Sequence, residues 1–140
     1  MKFSKATDYG LLLLIDLAKL GADEFTSVRR VAQSKRISER FLANIVHDLA
    51  NAGIVTSRRG TRGGIRLARP SSEISLADVI EALEGPIELF DCQRMPNLCQ
   101  HEDLCSLRSF WSGLREQVRG SLAGAKIGDF AHIQWVSSPA

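Results

Sequence analysis

The first clear pattern is an apolar run, Leu11, Leu12, Leu13, Leu14, Ile15, Leu17, Ala18 and Leu20, with Ser4 or Thr7 as an opening cap and Gly21 as a stop. It predicts a helix from about residue 5 to 20 that is apolar almost all round. Such a helix is buried on more than one side, so it is expected to lie between the core and a second subunit. Ser27 caps a short second helix that reaches about residue 34 and turns Val28, Val31 and Ala32 inward. After the turn Lys35-Arg36-Ile37, Ser38 caps a third helix that runs to about residue 52 and stops at Gly53. Phe41, Leu42, Ile45, Val46 and Leu49 fall on one face of it, leaving Ser38, Arg40, Ala43, Asn44 and His47 outward. Two short helices joined by a tight turn form a helix-turn-helix, whose second helix belongs in a major groove.

The period then changes. Residues 54–58 and 65–68 are short β-prone runs around Arg59-Gly60-Thr61-Arg62-Gly63-Gly64, which predicts a β-hairpin wing with arginine at its tip. The glycines do not make a P-loop, because no G-K-[ST] follows them. Ser75 with Asp78 three residues on signals a helix over residues 76–83, closed by Gly85-Pro86. Further on, Leu107, Phe110, Trp111, Leu114, Val118 and Leu122 recur at helical spacing. A long amphipathic helix with an aromatic stripe needs a surface to pack on, and a symmetric dimer supplies one. In the tail, Phe130, Ile133 and Trp135 suggest a short helix folding back, with a disordered end over residues 137–140. The expected fold is mainly α with a small β-hairpin wing: a winged helix-turn-helix plus a long dimerisation helix. The expected division is residues 1–86 for DNA binding, 87–106 as a cysteine-rich loop, and 107–140 as dimerisation helix and tail.

Composition adds two things. With 140 residues, 44% of them hydrophobic, the chain suits one compact domain, or a small domain plus an oligomerisation arm, and is too apolar for disorder. No stretch has the length of a membrane span, and the apolar run at residues 11–15 is fenced by Asp8 and Asp16 and lacks a cleavage signal. The net charge of +2 conceals an asymmetry. Residues 26–70 hold ten basic side chains against Glu39 and Asp48, a local charge of +8. All but one of the ten are arginine, the residue suited to phosphate and guanine, which favours a nucleic-acid surface. Ser38, Arg40 and Asn44 are the candidate base readers, with Arg58, Arg59 and Arg62 as candidate wing contacts to double-stranded DNA.

All three cysteines, Cys92, Cys99 and Cys105, lie in one polar stretch without helical or strand period. Isolated structural cysteines prefer an apolar core, so three on one polar loop suggest ligands. The C-x6-C-x5-C spacing is wider than a zinc knuckle, and iron–sulfur clusters accept thiolates from looser loops. A metal-free thiol redox pair, or unligated thiols, is the other reading of these residues. An odd cysteine count without a secretion signal fits a reducing cytoplasm. An enzyme is not expected, since nothing pairs a cysteine with His47, His101 or His132 in a defined geometry.

Taken together, these segments resemble the IscR/NsrR-type family of winged-helix iron–sulfur transcriptional regulators. The likeness covers nearly the whole chain. It rests on Met1-Lys2-Phe3-Ser4, Thr7-Asp8-Tyr9-Gly10, Ser38-Glu39-Arg40-Phe41-Leu42, Ala52-Gly53-Ile54-Val55, the wing from Arg59 through Ala68, Glu73-Ile74-Ser75-Leu76-Ala77-Asp78-Val79-Ile80, Glu84-Gly85-Pro86 and the cysteines. The resemblance implies a bacterial homodimer on a palindromic operator. It further implies that DNA binding responds to a [4Fe–4S] or [2Fe–2S] cluster that senses iron, redox state or nitric oxide. By resemblance the ligands are Cys92, Cys99 and Cys105. The IscR branch adds a histidine three residues after the last cysteine, where this chain has Arg108; the NsrR branch uses an N-terminal aspartate of the partner subunit, where Asp8 stands. The first cysteine gap is one residue longer than in IscR. A metal-free thiol-sensing regulator is the alternative.

Overall fold

Four helices start at a serine whose hydroxyl accepts a hydrogen bond from the first turn. In the computed structural model, which describes residues 2–21, 23–95, 100–101 and 104–132, Ser4, Ser27, Ser38 and Ser75 accept from the backbone N–H groups of Thr7, Arg30, Phe41 and Asp78. Each such cap is worth about 1 kcal/mol. The helices so opened are α1 (Lys5–Ala18), α2 (Val28–Lys35), α3 (Glu39–Asn51) and α4 (Leu76–Glu84). Ser75 and Asp78 form a reciprocal capping box, at 3.0 Å and 2.9 Å. Burial would raise the Asp78 pKa, but the Ser75 hydrogen bonds, with Arg69 and Lys126 nearby, outweigh it and hold the carboxyl below its ordinary value.

The turn between α2 and α3 closes at Arg36, which takes a left-handed conformation with φ of 55°. Ile37 N–H bonds Ala32 O across it at 3.1 Å, so the helix end is satisfied despite a non-glycine residue there. Antiparallel strands β1 (Val55–Arg58) and β2 (Gly64–Leu67) follow, with Val55 opposite Leu67 and Arg58 opposite Gly64. A 3₁₀ turn over Ser71–Glu73 leads into α4. Leu13, Leu14, Leu42, Ile45, Leu49, Ile54, Ile65, Ile74 and Val79 build the main core, drawing on α1, α3, α4 and the hairpin.

Two features depart from the sequence reading, the turn of helix in the cysteine loop and what covers α1, while the expected short returning helix is present. The expected aperiodic loop contains a one-turn helix, α5 (Asp91–Arg94), too short to leave a hydrophobic period. After α6 (Arg108–Gly124) the chain returns as α7 (Ile127–Ala131) and packs against α1. Ile127 is fully buried in the main core, and the return is pinned by Leu76 N–H to Ala125 O and Ile127 N–H to Ile74 O, both 2.9 Å. One apolar side of α1, assigned from sequence to a second subunit, is therefore met by the chain's own α7. Ile133, Trp135 and residues 137–140 lie outside the described residues.

A carboxylate joins the end of α4 to the start of α1. Glu84 accepts from the Ser4 N–H and, at 2.7 Å, from the Thr7 hydroxyl. Burial raises its pKa, but these donors and the Arg94 charge prevail and lower it from the ordinary glutamate value. A lowered folded-state pKa means stability that is present above the unfolded value and lost as pH falls through the folded one. Glu84→Gln is therefore expected to lower the melting temperature at pH 7, and the gap from the native protein should close below about pH 4. Thermal melts across an acid series check this; a gap constant with pH would show that the charge contributes nothing.

Candidate nucleic-acid interface and cysteine loop

On α3 the buried side chains Leu42, Ile45, Val46 and Leu49 fix the helix against the core. Phe41 meets Tyr9 of α1 edge to face, with centroids 6.0 Å apart. That leaves Arg40, Asn44, His47 and Asn51 as one exposed stripe, at i, i+4, i+7 and i+11. His47 Nε2 and Asn51 Nδ2 pair at 3.1 Å, whereas Arg40 and Asn44 have no side-chain partner among the described residues. Ser38 Oγ accepts from Phe41 N–H at 3.0 Å, so its own O–H remains as a donor beside the stripe. Ser38, Arg40 and Asn44 are thus exposed at the cap and along the N-terminal half of α3.

In the wing the three arginines differ. Arg59 and Arg62 are exposed at the tip, their side chains without a partner among the described residues. Arg58 instead donates from Nη2 to the Arg62 carbonyl at 3.1 Å and lies 4.6 Å from the centre of the Phe25 ring. Sequence reasoning missed Phe25, an isolated aromatic residue just before the Thr26 bridge. No local pattern marks it; its neighbour Thr26 pairs with Ile65 and extends the hairpin by one bridge.

The cysteine loop connects α4 to α6. Cys92 is exposed on α5, and Cys105 is exposed three residues before α6 begins. Both are free thiols, while Cys99 lies outside the described residues. Among the described residues no group of three metal-binding side chains is assembled. The loop is anchored through Phe90, whose ring is 4.6 Å from Trp111 of α6, and through Arg94, which pairs with Glu88 at 3.1 Å. Gln93 Oε1 accepts from Leu89 N–H at 2.8 Å, but its Nε2 is buried and without an acceptor among the described residues. One residue from Cys92, that donor suits an anionic group held by the loop. Asp8 is exposed in the first turn of α1 with no side-chain partner among the described residues. The polar needs of that helix end are met by Ser4 and Glu84.

The stripe assigned to a dimer interface divides in two. Val118 and Leu122 pack on Ala77, Ile80 and Ile87 of the same chain, and Arg119 Nε grips Glu81 of α4 at 2.7 Å. Leu107 and Phe110 are 52% and 60% exposed, so the first turns of α6, with the half-buried Trp111 and Leu114, are what remains for a partner. No helix among the described residues is long and apolar enough to cross a membrane.

A family model described as Rrf2, iron-dependent transcriptional regulator, matches residues 3–133. The chain is 34% identical over 131 residues to the HTH-type transcriptional regulator CymR of Bacillus subtilis, covering 94% of this chain and 90% of that protein. Identity to the HTH-type transcriptional regulator NsrR of Shouchella clausii is 36% over 109 residues, covering 77% of this chain and 73% of that one. The solved structure of B. subtilis CymR, called the global cysteine regulator, superposes with a TM-score of 0.76 at 33% identity, over 94% of this chain and 96% of that one. The T. potens IscR structure gives 0.74 at 23% identity, over 100% and 93%, a likeness of fold.

Proposed function

The chain belongs to the Rrf2 family of winged-helix transcriptional regulators, and from that premise we propose that it is a homodimeric DNA-binding regulator controlled by an iron–sulfur cluster on its cysteine loop. The observation that carries the control reading is two free, exposed thiols, Cys92 on α5 and Cys105 just before α6, with a buried, unpartnered Gln93 donor next to Cys92 in the chain. Cys92, Cys99 and Cys105 would hold the cluster, with Asp8 of the partner subunit as fourth ligand. When bound, a cluster supplies a centre that iron supply, oxygen or nitric oxide alters. Three thiolates and one oxygen ligand form a more labile set than the four strong ligands of a structural site.

The chain's own residues do the rest. Phe90 ties the loop to Trp111, so a change of state in the cysteine loop reaches the first turns of α6. In a dimer joined through those turns, the angle at which α6 leaves the domain sets the separation of the two α3 helices. Their spacing must match roughly one DNA turn of ~34 Å on a palindromic operator. Arg40 and Asn44 read base edges, the Ser38 hydroxyl assists them, and Arg59 and Arg62 reach the flanking backbone, with Arg58 bracing the tip.

An operator panel tests base reading. Arg40→Ala is expected to relax discrimination at one base pair by about 1–3 kcal/mol while sparing the others. A uniform loss across all variants would reduce Arg40 to a phosphate contact.

The likeness to CymR and the two free thiols favour a second reading, a metal-free regulator that responds to thiol oxidation. Anaerobic purification separates the two. The cluster reading predicts a brown protein with iron and sulfide in the preparation, and the thiol reading predicts a colourless one.

A further inference from the structure

We propose that Phe25 is a positioning residue for DNA binding, its ring holding the wing so that Arg59 and Arg62 face the duplex. This rests on the assignment of the wing as a DNA contact. Phe25 lies just ahead of α2, far in sequence from the hairpin, yet both strands reach it. The Arg58 guanidinium carbon, on β1, is 4.6 Å from the ring centre, and that of Arg66, on β2, is 4.7 Å away. Arg58 faces Gly64 in the register, so Arg58 and Arg66 are diagonal neighbours on one face of the hairpin.

The backbone seats the ring there. Thr26 N–H bonds Ile65 O at 3.1 Å, and Ile65 N–H bonds Thr26 O at 2.7 Å. Gly64, with φ of +140°, allows this approach, since a β-carbon on it would run into the Thr26 carbonyl. From the ring, Arg58 reaches on to the Arg62 carbonyl at 3.1 Å. A continuous path therefore runs from the start of the helix-turn-helix, through Phe25 and Arg58, to the tip of the wing. A two-stranded hairpin by itself is marginal in water. Without the ring the wing samples more orientations, and apparent affinity falls in proportion to the competent fraction. The loss cannot exceed the loss of the tip contact itself.

The experiment measures operator affinity for Phe25→Leu, Phe25→Tyr, Arg62→Ala and the Phe25→Leu/Arg62→Ala double variant of the full chain. Two cation–π contacts at a half-buried site predict that Phe25→Leu binds about five- to twenty-fold more weakly. Phe25→Tyr, which keeps the ring, is expected to bind within about two-fold of the native protein. If Phe25 acts through the tip, Phe25→Leu weakens binding less in the Arg62→Ala background than in the native chain. In a hydroxyl-radical footprint Phe25→Leu should lose wing protection and keep that of α3, which a general loss of fold would not do. Native affinity in Phe25→Leu, or losses that simply add, overturns the proposal and leaves the wing assignment intact. Native affinity in Arg62→Ala removes the wing assignment itself. If Phe25→Leu does not fold, Arg66→Met takes its place, with an expected weakening of about two- to five-fold; native affinity there also overturns the proposal.

Discussion

Raising the salt from about 50 to 200 mM is expected to weaken operator binding by about 10³- to 10⁵-fold, with log K falling against log salt at a slope of about −5 to −9. The expectation follows from charge placement. Residues 26–70 carry ten basic side chains against two acidic ones. Several of the basic ones are occupied within the chain. Lys35 pairs with Asp16 at 2.8 Å, Arg69 lies 3.8 Å from Asp78, and Arg58 and Arg66 are gathered around Phe25. The side chains of Arg29, Arg30, Arg36, Arg40, Arg59 and Arg62 are exposed without a partner among the described residues. Six such arginines per subunit are enough for a dimer to neutralise about six to ten phosphates, the number that sets this slope. Titrations at four or five salt concentrations measure it. A slope near zero would remove the helix-turn-helix and wing from the DNA interface together.

The second large effect concerns Asp8 as the proposed fourth cluster ligand. Asp8→Ala is expected to shift the absorption spectrum of the cluster and to speed its loss, with only a small change in melting temperature. The small stability cost follows from the fold. A carboxylate in the first helical turn favours the dipole by about 0.3–1 kcal/mol, and Ser4 and Glu84 already satisfy the end of α1. A mixed dimer then tests whether ligation crosses between subunits. One subunit carries Asp8→Ala, and the other carries alanine at Cys92, Cys99 and Cys105. Ligation in trans joins the first subunit's thiols to the second subunit's Asp8 and leaves about half the iron of the native dimer with a native spectrum. Ligation within one chain leaves no complete site, and an unchanged spectrum in Asp8→Ala would return the residue to a helix-end role.

What was legible in the sequence follows from how local the signal is. Ser4, Ser27, Ser38 and Ser75 announced four helices because a cap and its partner lie within one turn. The period of Phe41 through Leu49 gave both the buried face of α3 and, by subtraction, the stripe carrying Arg40 and Asn44. The wing showed itself through its glycines, of which Gly64 does need its positive φ. What stayed hidden depends on contacts between distant residues. Ile127 fills the main core from the far end of the chain, and no periodicity of five residues could announce that. Phe25 meets its partners about 30–40 positions away, and the importance of a lone aromatic residue appears only once the hairpin is in place. Likewise the stripe of α6 looked uniform in sequence, yet α4 covers its second half and leaves the first half exposed.

That the state of the cysteine loop governs DNA binding is tested most directly by measuring operator affinity, at one salt concentration, for the anaerobically purified protein before and after its iron is removed by a chelator. Coupling of the usual strength between two sites predicts affinities that differ by about 5- to 150-fold, with the difference abolished when Cys92 and Cys105 are replaced by alanine. Equal affinity before and after, or a protein that carries no iron when purified without oxygen, would contradict the account.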